Sequence, residues 1–383
     1  MTHTPLPAPF TDTVHHLLGQ YWPGASLTRV DLLKDWNRSI VARCWLDTSD
    51  PAIPESVVAK QVKAKGDRGH DDWASLQFLS SLTGRFAPRF LAGDTATSLF
   101  LTEDLGAAPT LESVLDGDDP RASHDALLAL ARQVGAMQAA SVGQEGVYTR
   151  MRSALSPITE PVRYERAREF QQGWDIVSFA LTLLDETAPI VVTTAQAEFE
   201  SIVRALYDPG DLLTFTHGDI APSNTIVEIT DTGGGAGITE NGQCWLIDFE
   251  YGGYRHAFYD TIFWRVLCPL PEDLADGMDA NYRRALALGC PAVEDERRYR
   301  EARSGSALYG AWRMLIWHLR AAMERDHPWV GGMMLRQALI FHLHNAAAVA
   351  AQDDQFVALG DLSHRVATHL EQRWSITAEP KSC

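Results

Sequence analysis

The sequence predicts an α+β protein of two lobes, a small β-rich N-terminal lobe and a larger, mainly helical C-terminal lobe. Three observations carry this. The 383 residues exceed one ordinary domain. The pattern over residues 27–100 is mostly strand-like, with one helical interruption. After Gly106 the apolar residues recur at amphipathic-helix spacing. The predicted division is residues 1–104 for the first lobe, 105–376 for the second and 377–383 for a polar, flexible tail.

Residues 1–12 read as a frayed lead, followed by a short helix with Val14, Leu17 and Leu18 on its apolar face, ending near Gly19. Residues 40–46 and 56–62 are candidate strands. Over residues 71–82, Trp73, Leu76, Leu79 and Leu82 mark a helix, with Asp71 and Asp72 suited to its positive N-terminal end. Residues 98–102 form another strand, stopped by Glu103-Asp104-Leu105-Gly106. Helices are expected over 127–137, 164–185 and 195–207, then short strands at 212–216, 225–229 and 244–248. The glycines between Asp231 and Gly237 predict a mobile hairpin loop. It is not a phosphate-binding loop, because no Lys-Ser/Thr follows and no helix begins. Three further helical stripes close the chain: Leu308, Trp312, Leu315, Leu319 and Met323; Leu335, Leu339 and Ala346; Leu359, Leu362, Val366 and Leu370.

Charge narrows the function classes. A net charge of −17 repels phosphate backbones and anionic lipid, so neither a nucleic-acid nor a membrane partner is expected. The richest basic run, Lys60, Lys63 and Lys65, lies within a strand pattern. The acidity is read first as a solubility effect and second as a mild preference for a cationic substrate. The five cysteines are scattered, without a paired motif, as in a reducing compartment. The N-terminal residues lack a basic-then-apolar signal, and no apolar stretch has the length of a membrane span. A soluble, cytoplasmic protein is therefore expected.

The chemistry concentrates in residues 214–250. Two strand-like runs flank a polar turn carrying His217, Asp219 and Asn224, and a second carboxylate, Asp248, ends a later strand. Strand ends bring side chains together in a cleft on a rigid scaffold. Asn224 and Asp248 are oxygen donors of the kind that hold Mg²⁺, an ion that takes few protein ligands and shares substrate phosphates. Asp219 then remains to orient a hydroxyl and accept its proton, and His217 reads as a structural hydrogen-bonding residue. Phosphoryl transfer needs little beyond this and a cation over the phosphates. Lys60, on a Val-Val-Ala strand run, is the candidate for that cation, in a chain where five of 33 basic residues are lysines. Asp72 is its candidate ion-pair partner, with Asp71 as the rival.

His217-Gly218-Asp219 with Asn224, followed by Ile247-Asp248-Phe249-Glu250, resembles the superfamily of aminoglycoside phosphotransferases and choline/ethanolamine kinases. These are small-molecule relatives of protein kinases. Protein kinases carry His-Arg-Asp and Asp-Phe-Gly instead, so Gly218 and Glu250 favour the small-molecule branch. The resemblance runs from about residue 27 to at least 265. It implies a protein-kinase-like two-lobed fold, ATP and Mg²⁺ as cofactors, and a small-molecule hydroxyl acceptor. Residue by residue, it implies Asp219 as catalytic base, Asn224 and Asp248 as metal ligands, Lys60 as the phosphate-binding lysine and Asp72 as its acidic partner. It implies a hinge over residues 101–106 whose backbone, at Glu103 and Leu105, holds adenine. Asn37 and Ser39 lie where the nucleotide loop belongs, although residues 35–39 lack a glycine-rich signature. Asp260 corresponds to a structural aspartate pinning the catalytic loop.

The acceptor divides two ways. Residues 250–254, with Phe258 and Asp260, are close in style to choline/ethanolamine kinases, and Trp312 and Trp317 are candidates for a cage around a quaternary amine. Residues 217–224 look more like the aminoglycoside side, with Asp185, Glu186, Asp273 and Asp276 as candidates to receive a polyamine sugar. The expected acceptor is an aminoglycoside or another amino-bearing alcohol or sugar. A protein-directed kinase and a non-catalytic nucleotide-binding protein are the rivals, the first disfavoured because no activation segment follows Asp248.

Overall fold

The computed structural model describes residues 8–63, 67–155, 173–183, 189–228, 230–231, 236–237, 243–329 and 332–376. The small lobe is built from α1 (Ala8–Tyr21), β1 (Ser26–Asp35), β2 (Ser39–Asp47), β3 (Ser56–Val62), α2 (Asp67–Ser81), β4 (Phe90–Asp94) and β5 (Leu99–Glu103). Its five strands form one antiparallel sheet in the order β1-β2-β3-β5-β4. Alternation decides which face is which. Ile40, Ala42, Cys44 and Leu46 of β2, Val57 and Ala59 of β3, and Leu99 and Leu101 of β5 pack against Phe10, Val14, Leu17 and Leu18 of α1. The other face carries Lys60 and Phe100 and looks toward α2, whose Trp73 sits 5.3 Å from the Phe100 ring.

Three sequence expectations change here. The N-terminal helix begins at Ala8, so residues 8–12 are not a frayed lead; Phe10 is buried and anchors that turn. The helix α2 begins at Asp67, which places Asp71 and Asp72 inside it, where both are buried. The strand β4 had no apolar alternation strong enough to announce it.

The large lobe follows with α3 (Leu111–Leu115), α4 (Pro120–Ser141), α5 (Glu145–Leu155), α6 (Gly173–Leu183) and α7 (Pro189–Tyr207). Then come β6 (Leu213–Thr216), β7 (Thr225–Val227), β8 (Thr230–Asp231), β9 (Ala236–Gly237), β10 (Cys244–Leu246) and β11 (Gly253–His256). The chain ends in α8 (Glu272–Ala287), α9 (Glu296–Glu324), α10 (Leu335–Asp353) and α11 (Val357–Trp374). Caps explain why helices start earlier than their apolar stripes. Asp119 accepts from the backbone of Arg121 and Ala122 ahead of Pro120, which suits a first helical turn. Asp295 does the same for α9 through Arg298 N. The apolar residues of α9, α10 and α11 form one core, and Trp312 at its centre donates its indole N–H to Ser363.

A second core crosses the lobes: Trp73 and Phe78 of α2 join Leu127, Leu130 and Val134 of α4, Phe215 of β6 and Phe249. It fixes the small lobe's cleft face against the strands that carry the polar turn. Of the glycine-rich loop, Thr230–Asp231 and Ala236–Gly237 pair as an antiparallel hairpin, and residues 232–235 lie outside the described residues. So do Lys65, Asp185, Glu186, residues 164–172 of an expected helix, and the tail at 377–383. Among the described residues no helix is long and apolar enough to cross a membrane.

Candidate active site

Two short antiparallel ladders set the geometry. The strand β6 pairs with β11, and β7 pairs with β10 through Thr225↔Leu246 and Val227↔Cys244. Ile247 N donates to Asn224 O at 2.9 Å. Asn224 and Asp248 therefore emerge at the same end of one ladder, and the turn from β6 to β7 carries His217, Gly218 and Asp219 beside them.

Buried polar contacts hold that turn. The Asp260 carboxylate accepts His217 N and Gly218 N, each at 2.9 Å, and Gln138 Nε2 at 3.1 Å. His217 is fully buried. Its Nε2 donates to the Ile247 carbonyl at 2.9 Å, which leaves Nδ1 to accept Asp219 N at 3.3 Å. The ring lies 4.4 Å from that of Phe249. His217 thus spends both nitrogens tying the turn to the strand before Asp248. The Asp219 side chain is exposed, and Asn224 donates Nδ2 to the Asp219 carbonyl at 3.2 Å, which turns the amide's nitrogen inward.

Gly218 has a backbone reason. Its φ is +82°, and a Cβ there would lie 2.3 Å from the Tyr251 carbonyl oxygen and 2.7 Å from an Arg255 guanidinium nitrogen. An arginine at this position, as in the His-Arg-Asp pattern, does not fit. Gly218→Ala is expected to cost about 1–3 kcal/mol through the left-handed backbone and the contact. Thermal unfolding beside turnover checks this, and an unchanged melting temperature contradicts it.

Lys60 lies in β3, opposite Val41 and Phe100, and projects into the cleft. Its ammonium donates to Asp72 Oδ2 at 2.7 Å and Asp248 Oδ1 at 2.9 Å, with Glu250 at 3.7 Å. Burial alone would lower the Lys60 pKa; Asp72 and Asp248 more than offset it and hold the ammonium above its ordinary value. Asp72 uses its other oxygen on Phe249 N at 2.8 Å, so one side chain positions both the lysine and the backbone beside Asp248. Asp71 is committed elsewhere, to Arg152 Nε at 2.6 Å.

Asp248 has φ +64°, a left-handed conformation uncommon for a residue with a side chain. Such strain collects at functional positions. Burial would raise its pKa; Lys60, joined by Lys34 Nζ at 3.5 Å, outweighs burial and holds the carboxyl below its usual range. The carboxylate is thus ionised near neutral pH and partly open to solvent. With the Asn224 amide at the same ladder end, this is an oxygen donor set that fits a hard divalent ion sharing its shell with phosphate oxygens. No cluster of three or more His, Cys, Asp or Glu able to hold a metal occurs among the described residues.

The remaining predicted positions lie on the strands and turns of the small lobe. Asn37 is exposed at the β1–β2 turn, and buried Ser39 accepts Trp36 N through its carbonyl at 2.9 Å. The Glu103 carboxylate is clamped by Arg85 at 2.7 Å, and its backbone N donates to Arg89 O at 2.8 Å. Leu105 is half-buried. Between them, Asp104 accepts Ser56 Oγ at 2.7 Å, Arg43 Nη2 at 3.0 Å and Gly106 N at 2.9 Å. Burial would raise the Asp104 pKa, but these donors bring it below its ordinary value and fix the crossing to β2 and β3.

The aromatic cage does not form. Trp312 is fully buried in the helical core, and Trp317, half-exposed, faces the Arg313 guanidinium at 4.7 Å. Asp276 is paired with Arg265 at 2.8 Å. Sequence reasoning missed Lys34 and the pairing of Arg38 with Glu250 at 3.0 Å. The scarcity of lysine was the one available signal for Lys34.

No protein-family model matches the chain, and no curated protein matches it. Among solved structures, it is similar to the streptomycin–ATP–APH(2")-IIa ternary complex, at 13% identity and TM-score 0.49, over 84% of this chain and 96% of that one. It is also similar to macrolide 2'-phosphotransferase MphH from Brachybacterium faecium, at 14% identity and TM-score 0.48, over 82% and 94%. A third is choline kinase LicA from Streptococcus pneumoniae, at 14% identity and TM-score 0.45, over 90% and 100%.

Proposed function

We propose that this protein is an ATP- and Mg²⁺-dependent phosphotransferase that moves the γ-phosphoryl group to a hydroxyl of a small molecule. The observation that carries the reading is the convergence on one cleft of an exposed Asp219, the Asn224–Asp248 donor pair and the Lys60–Asp72 ion pair. Asn224 and Asp248 would hold Mg²⁺, whose bound charge would neutralise phosphate oxygens. Lys60, released from Asp248, would contact the phosphates while Asp72 keeps its position. The backbone of Glu103 and Leu105 would hold adenine, and Asn37 and Ser39 would border the phosphates. Asp219 would accept the acceptor's hydroxyl proton as that oxygen bonds to the γ-phosphorus, and the bond from phosphorus to the β–γ bridging oxygen breaks to release ADP.

A small acceptor is favoured over a protein one by the chain that follows Asp248. Residues 252–266 are buried, with β11 paired to β6 almost at once, so no exposed segment is available there to dock a peptide. An amino-bearing alcohol or sugar suits the acidic chain. The test is coupled ADP release with Mg·ATP against aminoglycosides, choline, ethanolamine, amino alcohols and sugars. The reading expects release that depends on one acceptor class. Release driven only by a peptide panel contradicts it.

A further inference from the structure

We infer that Lys34 is a second nucleotide-phosphate-binding residue, placed in the cleft by a bulge in β1, and that its ammonium takes over part of the role a glycine-rich turn would fill. The inference rests on the phosphotransferase reading above. Alternation along β1 puts Val30 and Leu32 on the face packed by α1, while Arg29 and Asp31 share the opposite face with Trp45. Continued unbroken, it would put Lys34 against α1. The register slips instead: Leu32 faces Ala42, but Lys34 faces Val41, leaving Leu33 as the extra, exposed residue. A bulge re-aims the side chains that follow it. Lys34, Val41 and Lys60 therefore form one cross-strand row on the cleft face.

The two ends of that row converge on a single carboxylate. Lys60 holds Asp248 Oδ1 at 2.9 Å, and Lys34 reaches Oδ2 at 3.5 Å. The Lys34 ammonium also lies 3.8 Å from the centre of the Trp36 ring, a cation–π contact that holds it along the turn. The turn itself, Trp36-Asn37-Arg38, contains no glycine, so close approach of several backbone amides to a phosphate chain is not its design. Lys60 has Asp72 as a second carboxylate partner, whereas among the described residues Asp248 is the carboxylate that Lys34 meets. Once a divalent ion takes Asp248, Lys60 keeps Asp72 and Lys34 loses its carboxylate, which leaves the Lys34 charge aimed at the place where the phosphates lie. Lys34 then contacts phosphate oxygen, and Asp248 serves as its counter-ion only while the nucleotide is away.

The test compares ATP and adenosine binding to the full chain, by calorimetry with Mg²⁺ present, for wild type, Lys34→Met and Lys34→Arg. Lys34→Met is expected to weaken ATP by about ten- to a hundredfold, the worth of a charge-assisted contact, with adenosine affinity unchanged. Lys34→Arg is expected to restore most of the ATP affinity. Unchanged adenosine binding also certifies that the Met variant is folded. Equal weakening of ATP and adenosine, or no weakening of ATP, overturns the role of Lys34 while leaving the phosphotransferase reading in place. A wild-type protein that binds neither ligand overturns that reading, and this inference with it.

Discussion

Replacing Asp219 with alanine is expected to lower acceptor-dependent turnover by at least about a hundredfold, the lower end of what a positioned general base contributes, while nucleotide affinity stays close to that of wild type. The expectation comes from how the residue is held. Its carboxylate is exposed and its backbone is tied to His217 Nδ1, so the side chain is presented without being needed for the turn. The buried groups that fix the turn, Asp260 and His217, are untouched by the substitution. A loss of nucleotide binding equal to the loss of turnover would instead make Asp219 part of the phosphate site. Turnover at the wild-type rate would remove it from the chemistry.

Asp248→Asn should be nearly as damaging and for a different reason. Asparagine tolerates the left-handed backbone at φ +64°, so the substitution removes charge with little change of shape. The expected result is a steep rise in the Mg²⁺ concentration needed for half-maximal activity, by about tenfold or more, the loss of one charged ligand from a site with few. A pH effect follows from the same residue. Its folded pKa lies below the ordinary value because Lys60 and Lys34 outweigh burial. A carboxyl depressed in this way stabilises the fold above its unfolded pKa of about 3.9, and loses that contribution as pH falls through the folded value. The wild type should therefore exceed Asp248→Asn in stability near neutral pH, and the gap should close in acid below about pH 4. Denaturant midpoints of both proteins across that range decide it. A gap that persists undiminished in acid contradicts the assigned ion pairs.

The elements that the sequence announced are those with strong one-dimensional periodicity. The alternation at 40–46 and 56–62 and the stripes around Trp312, Leu339 and Leu362 each correspond to an observed strand or helix. Helix starts were less legible, since capping residues such as Asp119 and Asp295 lie outside the stripes they begin. The motif residues Asp219, Asn224 and Asp248 could be named because they cluster at strand ends, and Lys60 because lysine is scarce. The preference for Asp72 over its rival Asp71 rested on the resemblance; neighbours on one helix, they diverge in space, Asp71 to Arg152 and Asp72 to Lys60. Lys34 was hidden for a sharper reason. A bulge shifts the register by one residue, and no alternation pattern read along β1 alone reveals which face the chain presents after it.

Trp312 had two readings, a residue of a core stripe and a candidate for the cage, and the core reading is the one observed. Trp312 suits a quaternary-amine cage by chemistry, yet its place in the stripe with Leu308, Leu315 and Leu319 puts it inside the helical core. Periodicity was the better guide than residue type there.

The most direct test of the central claim follows the phosphoryl group itself. The wild type and Asp219→Ala are incubated with Mg·ATP and the mixed panel of amino-bearing alcohols and sugars, and the panel is read by mass spectrometry. The account predicts that one acceptor class gains a single phosphoryl group with the wild type and that this product is lost with the variant. ATP breakdown in which no small molecule gains a phosphoryl group, or a product formed equally by both proteins, would contradict it.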